Sequence, residues 1–124
     1  LIVIDTDVLI WLLRGNEKVK EMFKRAIEET EGLLYITPVQ IAEIHAGMRK
    51  KEREKTQKLL DSLLVIEIDR EIGKLAGEFV KKYGKSHSVK LADALIGAAT
   101  IVRGMKLWTF NKKHYPMFNE KEFY

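Results

Sequence analysis

Two aspartates, Asp5 and Asp7, stand directly behind the apolar run Leu1 to Ile4, and another of the chain's five, Asp93, interrupts the apolar stretch Leu91 to Val102. An unbroken apolar run of this length reads as a strand buried on both faces, as in a parallel sheet covered by helices. A helix that is apolar nearly all the way round is likewise buried. Carboxylates in such places are costly. An unpaired buried carboxylate carries a penalty of several kcal/mol, and two carboxylates about 4 Å apart repel by roughly 4 kcal/mol even at an effective dielectric near 20. A whole domain is stable by only about 5–15 kcal/mol. Acids placed where burial is expected therefore imply something positive between them, most simply a divalent metal ion.

The rest of the chain alternates strand and helix patterns. After the first strand, Val8 to Leu13 reads as a helix stopped by Gly15, and residues 17–31 as a second, with Val19, Met22, Phe23, Ala26 and Ile27 on one face and Gly32 ending it. Leu33 to Ile36 is the next strand. Thr37, Pro38 and Gln40 form a capping box that opens a helix to about Met48. The charged segment from Arg49 leads into a helix ending near Leu63, followed by a strand over Val65 to Ile68. Asp69 is positioned to cap a helix with Ile72, Leu75, Ala76, Phe79, Val80 and Tyr83 on one face, closed by Gly84. Ser88 is expected to cap a helix to about Arg103, and Lys106 to Phe110 is a further strand before a helical turn around Asn111 to Tyr115. Gly73 and Gly77, four apart in one helix, suggest close packing. The pattern predicts a single α/β domain over residues 1–124, a three-layer α/β/α arrangement around a mainly parallel sheet.

At 124 residues the chain is long enough for one substantial core. The absence of cysteine excludes disulfides and thiolate metal sites. No apolar run approaches the roughly 18 residues of a membrane span and no charged-then-apolar leader is seen, so a cytoplasmic location is expected. A net charge of +4, with basic clusters at Arg49 to Lys55, Lys81 to Lys85 and Lys112 to Lys113, suits a polyanionic partner.

On this frame Asp5 falls at the carboxyl end of a strand, where open α/β sheets bind ligands. Glu43 and Asp93 fall in the second turns of their helices, and Thr109 and Asn111 at the end of the last strand. These groups are expected to converge on one pocket. Oxygen ligands without cysteine or HExxH spacing favour magnesium or manganese over zinc. Taken singly, Asp7 also suits a helix first turn and Asn111 a helix cap. His45, His87 and His114 share no ligand spacing and read as surface or structural.

Four blocks in order resemble the PIN-domain nucleases, and within them the VapC-type toxins of toxin–antitoxin pairs: Ile4-Asp5-Thr6-Asp7-Val8-Leu9-Ile10; Thr37-Pro38-Val39-Gln40-Ile41-Ala42-Glu43-Ile44; Leu91-Ala92-Asp93-Ala94-Leu95-Ile96-Gly97-Ala98-Ala99; and Leu107-Trp108-Thr109-Phe110-Asn111-Lys112-Lys113-His114-Tyr115. The resemblance implies an acidic core of Asp5, Glu43 and Asp93 binding Mg²⁺ or Mn²⁺, with Asp7 and Asn111 as accessory members. It also implies an RNA substrate, a VapB-type antitoxin and a homodimer. The last block ends in Phe in the family pattern and in Tyr115 here. Many relatives carry an acid where Asn111 stands, so a second metal is expected to bind weakly, and Asn111→Asp is expected to be tolerated.

Such a site suits phosphodiester hydrolysis, since a bound divalent ion activates water and stabilises the oxygens of an in-line displacement. Asp5 and Asp93 are then the principal ligands, Glu43 a ligand directly or through water, Asp7 a water positioner or auxiliary ligand, and Thr109 and Asn111 polar orienters. The resemblance, rather than the chemistry, selects RNA and internal cleavage. The alternatives are an RNA-processing nuclease outside any toxin pair, a non-catalytic PIN-like binding module and a haloacid-dehalogenase-like phosphatase. The last shares strand-Asp5-x-Asp7 but lacks the further acid block that family needs.

Overall fold

A computed structural model describes residues 1–124. Strands β1 (Ile2–Ile4), β2 (Leu34–Ile36), β3 (Leu64–Val65) and β4 (Lys106–Trp108) form one parallel sheet in the order β3-β2-β1-β4. The helices are α1 (Thr6–Leu13), α2 (Glu17–Thr30), α3 (Pro38–Gly47), α4 (Arg53–Asp61), α5 (Arg70–Tyr83) and α6 (Leu91–Val102). Side chains alternate across the sheet with a period of two. Ile2, Ile4, Leu34, Ile36 and Trp108 pack with Val8, Leu9 and Leu12 of α1, Val19 and Ala26 of α2 and Leu60 of α4. Val3 and Leu107 face the opposite way and pack with Ile72 and Ala76 of α5 and Ala94, Ile96, Ala98 and Ala99 of α6. The expected three layers are therefore present, with an apolar core on each face of the sheet. No helix is long and apolar enough to cross a membrane.

This strand order places the topological switch between β1 and β4. The chain leaves β1 toward β2 on one side and returns through β4 on the other, so the carboxyl ends of β1 and β4 open a crevice together. Register holds them level, with Ile4 opposite Trp108 and the Asp5 amide donating to the Trp108 carbonyl at 2.9 Å. Beyond β4 the sheet carries only one bridge, Leu107 to Phe123.

Several boundaries differ from the sequence reading. Ser88 does not cap α6; it lies in the left-handed region at φ 54°, Val89 is buried behind it, and the helix starts at Leu91 after Lys90, whose side chain caps nothing. Burial of Val89 thus moves the helix start, and Asp93 falls in the first turn rather than the second. The strand expected over Val65 to Ile68 is Leu64–Val65, after which the Ile66 amide still donates to the Ile36 carbonyl. The segment after Arg49 begins as a 3₁₀ turn, Lys50–Glu52, before α4. Gly73 and Gly77 are not packing glycines. Both are exposed, one position beyond the buried Ile72 and Ala76, and an added Cβ at either meets nothing within 4 Å.

Candidate active site

Asp5 is 6 % exposed and caps α1. Its Oδ1 accepts from the Thr6 amide at 2.9 Å and its Oδ2 from the Thr109 hydroxyl at 2.7 Å. Thr109 is buried and in turn accepts from the Asn111 amide at 3.0 Å, which fixes the hydroxyl between the ends of β1 and β4. These neutral donors do not match the cost of burial. Desolvation, reinforced by the charge of Asp7, raises the Asp5 carboxyl to about 6.

Glu43 reaches the same end of the sheet from α3. The capping box at the start of α3 is present, and the buried Gln40 side chain donates to the Ile4 carbonyl at 3.0 Å, tying the helix to the end of β1 one turn before Glu43. The Thr6 hydroxyl then donates to Glu43 Oε1 at 2.7 Å. Asp93 enters from the first turn of α6, half-buried and without a hydrogen bond from any donor; His114 Nδ1 stands 3.7 Å away. Burial raises the Asp93 carboxyl, and Asp5 and then Glu43 raise it further, while His114 and Lys90 oppose them. Asp93 is thus near enough to both Asp5 and Glu43 to be repelled by each.

Asp7 has a different environment. Its Oδ1 accepts from the Val8 amide at 2.8 Å, and its Oδ2 from the Phe110 amide at 3.0 Å and from Asn111 Nδ2 at 2.9 Å. Burial still raises its carboxyl despite these donors. Asp7 and Asn111 therefore hold each other, and through the Phe110 amide Asp7 pins the loop after β4 to the start of α1.

Two further groups escaped the sequence reading. Thr6 holds Glu43; its only signal was its place in the Asp-Thr pair. Tyr115 is 1 % exposed; its hydroxyl meets no hydrogen-bond geometry but lies near enough to Asp5 to oppose the rise in that carboxyl, and burial, followed by the charge of Asp5, holds the phenol far above its usual range. Its signal was the tyrosine standing where the family pattern has phenylalanine. His87 and His114, read as surface or structural, line a cavity with Glu43 and Asp93, whereas His45 lies on the exposed surface of α3.

The donor set suits a hard cation: every core acid offers oxygen, Asp5 is buried without a cationic partner and Asp93 accepts no hydrogen bond. In the present side-chain positions no three carboxylates or imidazoles close around a single point.

Comparisons with known proteins agree with this architecture. The PIN domain profile matches residues 2–118. The chain is 36% identical over 121 residues to Ribonuclease VapC10 of Mycobacterium tuberculosis, covering 97% of this chain and 90% of that one. Among solved structures, a toxin–antitoxin complex from Klebsiella pneumoniae superposes with a TM-score of 0.77 at 24% identity, covering 94% of this chain and 91% of that one. DNA-bound VapBC from Salmonella typhimurium gives 0.77 at 17% identity, covering 92% and 89%. The chain belongs to the PIN domain family and, within it, to the VapC ribonucleases.

Proposed function

We propose that this chain acts as one PIN domain over residues 1–124, a Mg²⁺- or Mn²⁺-dependent endoribonuclease and the toxin of a VapBC-type pair in the cytoplasm. The observation that carries this reading is the meeting of Asp5, Glu43 and Asp93 at the β1–β4 switch point, with the Asp5 carboxyl raised by burial and Asp7 and the Asp93 carboxyl raised by burial, Asp5 and Glu43. Asp5 and Asp93 would hold the ion directly and Glu43 directly or through water. When bound, the ion supplies water activation and charge stabilisation for phosphodiester hydrolysis.

The chain's own residues prepare the site. Thr109 and the Thr6 amide fix the rotamer of Asp5, and the Thr6 hydroxyl orients Glu43. Such outer partners order metal ligands. Asp7 and Asn111 act as a positioning pair, since the donors already on Asp7 favour that role over direct ligation.

The antitoxin reading is supported by a second cavity of about 610 Å³ that runs from Glu43 along Ile10, Leu13, Arg14, Met48 and Arg49. Its mixed lining, apolar side chains together with the basic Arg14, Arg49 and Lys51, suits an extended segment of a partner that reaches the acids. Homodimer formation belongs to the same proposal, with family membership as its support.

Cleavage of a single-stranded RNA by purified protein tests the reading. Mg²⁺ or Mn²⁺ should support cleavage, EDTA should abolish it, and Asp5→Ala should be inactive with either ion. Full activity in EDTA overturns the mechanism; activity that a co-expressed VapB-type partner does not suppress overturns the toxin assignment alone.

A further inference from the structure

The cavity of about 610 Å³ beside Asp93 is lined by charged and polar residues apart from Ala92, with both signs of charge among them. Glu43 and Asp93 belong to the acid cluster. Facing the same space are His87, Lys90, Lys113 and His114. Neither Lys90 nor Lys113 forms an ion pair with any carboxylate of the chain. Lys90 is nevertheless near enough to oppose the rise in the Asp93 carboxyl. Cations this close to acids, yet unpaired, remain available to another anion.

The surrounding backbone is built rather than loose. The His87 amide donates to the Tyr83 carbonyl at 2.9 Å, its ring meets the Tyr83 ring edge-on at 5.5 Å between centroids, and its Nδ1 is engaged by the Ser86 hydroxyl at 2.7 Å. This leaves Nε2 as the free ring nitrogen. Ser88 takes its left-handed turn and Val89 anchors the loop in the core. Helix α6 then opens without a side-chain cap, and its first-turn residues Ala92 and Asp93 line the cavity. Open first-turn amides add a favourable field for an anion.

We propose that this cavity is the subsite for a non-scissile phosphate of the RNA strand, the one next to the bond at the acid cluster, held by Lys90 and Lys113 with His87 beside them. The proposal rests on the nuclease reading of Asp5, Glu43 and Asp93. It gives the acid wall and the cationic wall of one cavity separate tasks: the acids take the reacting phosphate through the bound ion, and the lysines take its neighbour and fix the register of the strand. Lys81 and Lys82 line no part of the cavity.

The test is binding of a fluorescent single-stranded RNA to the Asp5→Asn protein across a salt series, alone and with Lys90→Gln, Lys113→Gln or both. Each lysine change should lower the slope of log affinity against log salt by about 0.7, which at 0.1 M salt is a loss of about fivefold per lysine. In an otherwise wild-type background the same changes should raise KM and spare kcat, since the interaction is with a part of the substrate that does not react. Replacing one phosphate at a time by a neutral methylphosphonate should reveal a single uncleaved linkage whose neutralisation costs the parent protein a similar factor and the double lysine variant nothing more. A Lys18→Gln/Lys74→Gln control, on exposed residues outside the cavity, should leave the slope nearly unchanged. Unchanged slopes in the Lys90 and Lys113 variants overturn the subsite, as does an equal loss in the control or a response confined to the cleaved linkage. Lysine variants that bind RNA normally but lose a VapB-type partner assign the cavity to protein and overturn it too. If wild-type protein does not cleave RNA at all, the nuclease reading fails first.

Discussion

Asn111 Nδ2 donates to Asp7 Oδ2 at 2.9 Å, joining residues 104 positions apart in the chain. This bond changes what an acid at 111 would do. The family pattern makes Asn111→Asp look harmless, but here it replaces the donor facing Asp7 with a second carboxylate. With roughly 4 kcal/mol of repulsion for close carboxylates at an effective dielectric near 20, partly relieved by rotation and protonation, metal-free stability should fall by about 2 kcal/mol. That is several degrees in melting temperature for a domain of this size. Excess Mn²⁺ should recover part of the loss by filling a second site. An unchanged melt in EDTA would show that Asp7 does not depend on Asn111.

Stability of the metal-free protein should depend on pH through Asp5. Its folded value, about 6, lies above the ordinary 3.8, so between these values the folded state binds more protons than the unfolded one. The sign follows: stability from this group is full below pH 4 and is lost as pH rises through 6. The shift corresponds to roughly 3 kcal/mol. Denaturant titrations in EDTA from pH 4 to 7, taken as wild type minus Asp5→Asn, should fall by about that amount. A flat difference would mean that Asp5 is neither desolvated nor opposed by Asp7.

Tyr115→Phe restores the family residue and removes a buried hydroxyl with no partner. An unsatisfied buried polar group costs about 1–3 kcal/mol, so the variant should be more stable than wild type by about 1 kcal/mol in EDTA. A loss of stability on this change would show that the hydroxyl is bonded to Asp5 in solution.

The core acids were legible because each violates its surroundings: Asp5 ends an unbroken apolar strand, and Asp93 sits in a helix otherwise devoid of charge. Glu43 was placed by the capping box at Thr37, which set the register of α3. The sheet followed from short apolar runs separated by helical periods. What could not be read depends on contacts between distant segments. Ser88 is a good cap by type, but burial of Val89 turns it left-handed and delays α6. His87 and His114 have no common spacing, and they meet only because the α5–α6 loop and the turn after β4 border one cavity. Gly73 and Gly77 had the spacing of a packing stripe but fall one residue off the buried face of α5.

The claim on which the account turns is that Asp5, Glu43 and Asp93 are mutually repelling acids awaiting a divalent ion, and thermal melts of wild type and Asp93→Asn, each in EDTA and in excess Mg²⁺, test it most directly. Asp93 accepts no hydrogen bond and its carboxyl is raised by burial and by Asp5, so removing its charge while keeping its shape should stabilise the metal-free protein. A gain of about 1–2 kcal/mol, or a few degrees, is expected. Mg²⁺ should raise the melting temperature of wild type clearly and that of Asp93→Asn much less, because stabilisation follows affinity for the folded state. A metal-free Asp93→Asn protein that melts below wild type, with Mg²⁺ stabilising both equally, would make Asp93 a structural carboxylate and contradict the shared metal site.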